Sequence, residues 1–187
     1  KNSTGELFIA SDNIALKTAD QSETFIDCNG NGAVELYHNN VKKFDTVTNG
    51  VRIHGDEGGD AELLLLADEG DDNADYWRIL ADASGDQLYI QNYTDGGWES
   101  NIMCDGGGQV ELYHNNSKKL ETTSSGVTLS GDLTVGQSTS SNIYMYDSDE
   151  TTRRIHCNSN RIGFLDSSND WSFYSDNTGN CSVKGHF

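Results

Sequence analysis

The sequence has no proline and few large aliphatic residues. Leu, Ile, Val and Phe together make up about a fifth of the 187 residues. With a formal net charge of −18, this composition lies near that of disordered chains. Aromatic residues, at 9%, nonetheless indicate a packed state. Because a fold with so little apolar material is hard to stabilise alone, we expect another chain to complete its core.

Long apolar runs and positive charge are also scarce. The longest apolar run extends only from Leu63 to Ala67, far short of the roughly 20 residues of a membrane span. There are 12 Lys and Arg residues against 30 Asp and Glu, so the chain should repel nucleic-acid phosphate and anionic membrane surfaces. We therefore expect neither membrane insertion nor a nucleic-acid partner.

The strongest positive signal is an internal repeat. The heptapeptide VELYHNN at Val34–Asn40 recurs unchanged at Val110–Asn116, and flanking glycine, lysine and apolar residues recur at the same spacing. Repeats of this length indicate tandem structural units. We divide the chain into a partial leader repeat (1–23), a first β repeat (24–99) and a second β repeat (100–187).

Each repeat has the pattern of β-structure. Short runs with apolar residues at alternate positions are separated by Gly, Asn, Asp and Ser. A three-residue loop over 39–41 would set Leu36 opposite Phe44, and a turn at Asn49-Gly50 would pair Thr46 with Ile53. Further strands are predicted over 61–68, 76–82, 87–94, 98–105, 142–148, 152–158, 161–166 and 171–176.

The predicted three-stranded meander of each repeat has one apolar face. The residues assigned to these two faces are Val34, Leu36, Phe44, Val51, Ile53, Val110, Leu112, Leu120, Val127 and Leu129. A three-stranded meander with one apolar face needs a covering layer. We expect neighbouring chains to supply it, which makes these ten residues the predicted core of an oligomer.

The repeat also carries a specific resemblance. The pattern VELYHNN-x-KK, continuing to Gly50-Val51 and Gly126-Val127, resembles the repeats in tail fibre proteins of tailed phages, especially marine ones. The stretch 176–185 is similar to the segment that precedes a self-cleaving C-terminal intramolecular chaperone in such fibres. The resemblance implies an elongated homotrimeric all-β fibre, either a β-prism or an interleaved trimeric β-structure. It also implies assembly in the host cytoplasm.

Cysteine and histidine are the first candidates for metal binding or catalysis. Cys28 and Cys104 occupy equivalent repeat positions next to apolar residues, and no CxxC or Cys/His spacing indicates zinc. We expect all four cysteines to remain thiols. His156 and Cys157 could be a base and a nucleophile, but adjacent strand residues point to opposite faces.

Two groups could hold a metal. His38 and His114 fall on the predicted apolar face, where a threefold axis could gather three copies around an ion, although a hydrogen-bonded histidine is the simpler interpretation. Residues 71–75, Asp-Asp-Asn-Ala-Asp, are rich in oxygen ligands, but they lack the Gly and the distal Glu of a calcium loop. We predict no metal and no cofactor.

Tryptophan is the candidate for receptor contact, because its flat apolar face can pack on a sugar ring. Trp98 and Trp171 occupy matching places in the two repeats, which favours a structural role. Trp77 has no aromatic counterpart, because Arg153 stands there in the second repeat. Trp77 is therefore the one tryptophan assigned a speculative receptor contact.

These observations favour a non-enzymatic structural virion protein, part of a tail fibre that attaches to the host surface. Its expected partners are two further copies, other tail proteins and a host cell-surface glycan or protein receptor. Two alternatives remain. A polysaccharide-degrading tail spike would be a parallel β-helix with a carboxylate groove. A secreted bacterial adhesin or carbohydrate-binding module would fold as a monomer.

Overall fold

The computed structural model of the chain describes residues 5–136, 139–145 and 153–185, and over these residues the protein is all-β. The strands form three open antiparallel sheets, each with its strands in chain order. The chain divides into two compact units, residues 1–131 and 132–187. The first unit contains two sheets and the second contains one. The predicted all-β class is confirmed.

The first sheet has five strands. They are β1 (Asn13–Lys17), β2 (Thr24–Asn29), β3 (Val34–His38), β4 (Val41–Val47) and β5 (Gly50–Ile53). Apolar residues alternate along them with polar ones, which places the apolar side chains on one face. Leu36 lies opposite Phe44, as the sequence predicts.

The turn that produces this pairing differs from the prediction. The β3–β4 hairpin closes with His38 opposite Val41, so the loop has two residues rather than three. Both of them, Asn39 and Asn40, have left-handed backbone angles, with φ of 51° and 61°. Asparagine tolerates this conformation and favours such tight hairpins. The register then shifts at a β-bulge at Lys43, which restores the Leu36–Phe44 pair.

The pairing predicted across the second turn is also wrong, by two residues. Thr46 pairs with Val51 rather than with Ile53, because the turn closes on Val47 and Gly50. Ile53 instead lies opposite Phe44. A shift of two residues leaves every side chain on the same face of a strand, so the predicted apolar face is unchanged.

The second sheet has seven strands. They are β6 (Ala61–Leu66), β7 (Tyr76–Asp82), β8 (Gln87–Asn92), β9 (Glu99–Asp105), β10 (Val110–His114), β11 (Ser117–Thr123) and β12 (Gly126–Leu129). Two single-turn 3₁₀ segments, Asp68–Gly70 and Asn73–Asp75, lie in the connection between β6 and β7. The first repeat contributes β6 to β8 and the second contributes β10 to β12, so the repeat boundary falls inside this sheet.

The third sheet, in the second unit, has five strands. They are β13 (Ser140–Met145), β14 (Arg153–Asn158), β15 (Arg161–Leu165), β16 (Trp171–Asp176) and β17 (Cys181–Val183). The predicted strands over 142–148 and 152–158 match β13 and β14 within the described residues. Residues 146–152, where these two predictions partly fall, lie outside the described residues.

A β-bulge recurs at equivalent places in the three sheets. In each sheet the register shifts by one residue near the start of a repeat-related strand, at Phe25 in β2, Asn101 in β9 and Ser172 in β16. The Lys43 bulge likewise has a counterpart at Lys119 in the second sheet. The repeat therefore extends to the irregularities of the backbone as well as to its side chains.

Candidate assembly surface

Each sheet carries an unbroken row of large apolar residues that are cross-strand neighbours on one face. The rows are Leu16, Ile26, Leu36, Phe44 and Ile53 in the first sheet, Leu63, Ile79, Ile90, Ile102, Leu112, Leu120 and Leu129 in the second, and Ile143, Ile155, Phe164, Phe173 and Val183 in the third. Cross-strand pairs are the main unit of side-chain packing on a sheet. We call the side of each sheet that carries this row its apolar face.

All four cysteines lie in a second row on the apolar face. Cys28 pairs with Val34 and Cys104 pairs with Val110, at equivalent positions of the two repeats. Cys157 and Cys181 occupy the corresponding row of the third sheet. All four are free thiols; Cys28 and Cys104 are half-buried, whereas the other two are exposed. The first two therefore occupy the small apolar positions that the sequence predicts.

The apolar face is not covered in the single chain. Of the ten residues assigned to the oligomer core, seven are exposed, Val127 by 61% of its surface. The other three, Phe44, Val110 and Leu120, are half-buried. In the described part of the chain the buried apolar side chains are Leu80, Met103 and Leu165, and the strand register places all three on the opposite, polar faces. The largest apolar surface of each sheet is thus bare.

The polar face of the first sheet is organised around Asp45. The Arg52 guanidinium donates two hydrogen bonds to the Asp45 carboxylate, at 2.6 and 2.9 Å, and His54 Nε2 lies 3.0 Å from it. The Lys42 ammonium bridges Asp45 at 3.3 Å and Glu35 at 2.7 Å. Asp45 is only 1% exposed, so its charge is stabilised by these partners rather than by water. The hydrogen bonds from Arg52, above all, hold the pKa of the Asp45 carboxyl well below its usual range.

The second repeat builds a similar cluster around Glu111, which is 4% exposed. Lys118 Nζ lies 3.0 Å from the Glu111 carboxylate and also contacts Glu121. Gln109 Nε2 donates to Glu111 at 2.7 Å, and the Tyr113 hydroxyl donates to it as well. The hydrogen bond from Tyr113 is the main cause of the lowered pKa of Glu111. Burial and this bond raise the pKa of Tyr113 to about 12.

Arginine and aromatic side chains pack together on the polar faces of the second and third sheets. The Arg78 guanidinium lies 4.1 Å from the centre of the Trp98 ring, and its Nε donates to Gln91 at 2.7 Å. In the third sheet Arg161 lies 4.3 Å from the Tyr174 ring, which contacts Trp171. These contacts resemble cation–π packing in small cores. They support a structural role for Trp98 and Trp171, although the bulges at Asn101 and Ser172 match Trp171 with Ser100 rather than with Trp98.

Trp77, the residue assigned to receptor contact, lies on the apolar face. Its cross-strand neighbours are Leu65 and Asn92, and 42% of its surface is exposed. Trp77 shares this face with the row residues Leu63 and Ile79. Receptor contact and burial in an oligomer core would therefore compete for the same face.

The other candidates for chemistry are separated or already partnered. His38 and His114 are exposed at hairpin ends. His156 Nδ1 contacts Asn142 Oδ1 at 2.6 Å on the polar face, whereas Cys157 pairs with Ile162 on the apolar face.

Residues 71–75 form a capped turn in which the Asp72 N–H donates to the Asp75 carboxylate. Within the described ranges, no group of three or more His, Cys, Asp or Glu side chains is placed to hold a metal ion.

Sequence reasoning missed the ion-pair cluster at Asp45. The residues are visible in the sequence, but their meeting depends on the bulge at Lys43 and on the corrected turn. The pairing of Asp45 with Arg52 follows only from the observed β4–β5 register. A search for opposite charges at cross-strand positions would have found this pair if the second turn had been assigned correctly.

Comparisons with protein-family models, with curated proteins and with solved structures found no match to this chain. Among the described residues, no helix is long and apolar enough to cross a membrane.

Proposed function

We propose that the chain is a structural segment of a homotrimeric phage tail fibre, located in the virion and serving attachment to the host surface. One observation carries this proposal: the apolar row of every sheet is bare, while the polar face opposite is closed by ion pairs and aromatic packing. A sheet with one apolar face needs a covering layer. Since the row recurs in all three sheets, each sheet needs such a layer, and further copies of the same chain can supply it.

The exposure of the apolar rows supports association. Seven of the ten residues assigned to the oligomer core are exposed in the single chain. Burying apolar area stabilises by about 25 cal/mol per Å², so assembly would add stability that the single chain lacks.

The number of copies and the biological role rest on the resemblance of the VELYHNN repeat to tail fibre repeats. Three copies around an axis would turn the three apolar faces inward and leave the acidic polar faces in water. The antiparallel sheets favour this role over the tail-spike alternative, which predicts parallel coils. Other tail proteins and a host cell-surface glycan or protein remain the proposed partners, and no catalytic role is proposed.

Two adjacent residues of β12 provide a matched test of the buried face. Val127 lies on the apolar face and Thr128 on the polar face, and both side chains are exposed in the single chain. Val127→Asp and Thr128→Asn should therefore both be tolerated by an isolated chain; asparagine is used at position 128 because a carboxylate there would lie opposite Glu121. In a trimer the first places three carboxylates in the core, at a cost of several kcal/mol each.

The measurement is sedimentation velocity of both variants beside the wild type. We expect Val127→Asp to lose the trimer and Thr128→Asn to retain it. Trimers of unchanged stability for Val127→Asp would show that the apolar face is not the interface.

A further inference from the structure

The edge strand β6 is unusually open to association. It pairs with β7 over six consecutive residues without a bulge, and its other edge pairs with no strand among the described residues. Four consecutive leucines, Leu63–Leu66, are exposed on it, so that both faces of the strand are apolar. Proteins normally protect such edges with charges, bulges or shortening. A long, regular, leucine-rich edge is expected only where something covers it.

The other edge strands of the first unit carry that protection. The strand β1 has only five residues, pairs with β2 across a bulge at Phe25 and ends in Lys17. The strands β5 and β12 have only four residues each. The chemistry of β5 nevertheless complements β6, because it presents Val51 and Ile53 on its apolar face and an exposed Arg52 on its polar face.

Strand direction identifies how β5 and β6 could meet. Strands β2 to β5 repeat as β9 to β12, so β5 is the counterpart of β12. Within the second sheet, strands alternate in direction, and β6 therefore runs the same way as β12. The apolar positions agree as well. In each of these strands the residue of the second row lies two positions before the residue of the first row: Val51 before Ile53 in β5, Ala61 before Leu63 in β6 and Val127 before Leu129 in β12. If β6 extended the first sheet beside β5, with the two apolar faces on the same side, β5 and β6 would therefore run parallel.

The connecting segment excludes this pairing within one chain. Parallel neighbours in a sheet need a crossover of a dozen or more residues. Only seven residues, 54–60, join β5 to β6. The two strands do not pair in the single chain, although both belong to the first unit. If β5 is the partner of β6, it therefore belongs to another copy.

We propose that β6 pairs in parallel with β5 of a neighbouring copy, so that the second sheet of one chain continues edge to edge into the first sheet of the next. The inference rests on the proposed oligomer and adds to it a specific strand exchange. Aligning the apolar rows places Leu63 beside Ile53 of the neighbouring copy. The same register sets Glu62, which already pairs with Arg78, beside Arg52, which already pairs with Asp45, so that opposite charges adjoin at the junction. The backbone groups of the β6 edge then have hydrogen-bond partners.

Disulfide trapping of this pair tests the inference. In the double variant Val51→Cys/Ala61→Cys, the introduced thiols would lie on adjacent strands in the same register, at a separation that suits a disulfide. The four native cysteines are replaced by serine in this variant, so that only the introduced thiols can bridge. Oxidation of the assembled protein by copper phenanthroline should join chains in a ring of three, seen as a three-chain band on a non-reducing gel. An assembled variant that yields only single chains would overturn the strand exchange while leaving the trimer intact.

Val127→Cys/Ala61→Cys, with the native cysteines again replaced by serine, is the matched control, because Val127 is the repeat counterpart of Val51. We expect no three-chain band from it, and such a band would overturn the proposal by assigning β12 as the partner. If the double variant fails to fold, hydrogen exchange of the wild type decides instead. Amides of Leu63–Leu65 should exchange as slowly as those of the central strand β9, and rapid exchange would contradict the pairing. A monomeric wild type would instead refute the proposed oligomer itself.

Discussion

At the scale of single residues, the chain places its most complete burial in charged groups. Asp45 is buried more fully than any apolar side chain in the described part of the protein. A carboxylate removed from water is stable only while its hydrogen bonds and ion pairs are kept. Here Arg52, Lys42 and His54 supply them. The cluster therefore fixes the register of β4 against β5 as well as closing the polar face.

The Asp45 cluster predicts a dependence of stability on pH. Because the pKa of Asp45 is lowered in the fold, its contribution is complete above the unfolded pKa of about 4 and is lost as pH falls further. Asp45→Asn should lower the Tm by several degrees at pH 7 and flatten the acid decline, as measured by calorimetry from pH 7 to pH 2.

Asp56→Asn is the control for this prediction. Asp56 pairs with Lys43 in an exposed ion pair, and such pairs contribute little to stability. We expect its Tm to stay within about 1 °C of the wild type, on the scale typical of surface pairs. An equal decrease in Tm for the two variants would mean that the buried ion pairs of Asp45 stabilise the fold no more than an exposed pair does.

At the scale of the element, the second asparagine of the VELYHNN motif joins neighbouring hairpins. Asn40 Oδ1 accepts a hydrogen bond from the Thr24 N–H at 2.8 Å, and Asn40 Nδ2 donates to the Ser22 carbonyl at 2.9 Å. Asn116 likewise accepts from the Ser100 N–H at 2.7 Å. The motif thus supplies the left-handed turn and a bridge to the preceding strand connection.

This double role predicts different effects for two glycine substitutions. Glycine tolerates the positive φ at both positions, so Asn39→Gly should leave stability nearly unchanged. Asn40→Gly also loses the two bridging hydrogen bonds and should lower the free energy of unfolding by about 1 kcal/mol or more. Urea unfolding monitored by circular dichroism measures both. Equal stability of the two variants would show that the bridge contributes nothing.

Much of the element pattern was predictable from the sequence, and its failures have physical causes. Alternating apolar residues were enough to locate β7 and β16 and to place Leu36 opposite Phe44. The first loop was predicted one residue too long, because a bulge at Lys43 holds the residue that the prediction assigned to the loop, and the second turn was placed one residue too late. The apolar faces tolerated these errors, since shifts of two residues preserve the face. The Asp45–Arg52 pair was lost from the prediction, because it depends on the exact cross-strand register.

At the scale of the whole molecule, the repeat explains why one chain is insufficient. Every sheet satisfies its polar face with its own side chains, and every sheet leaves its apolar row exposed. The edge strand β6 adds open backbone and four exposed leucines. Association with further copies would cover both features together. The net charge of −18 would then lie on outward faces, where it keeps the assembly soluble.

The central claim is that this chain completes its core by association with its own copies. Native mass spectrometry of the wild type, at micromolar concentration and near-neutral pH, tests it most directly. The account predicts a single species of three times 20.5 kDa that persists on dilution. A folded, monodisperse species of 20.5 kDa would contradict the account.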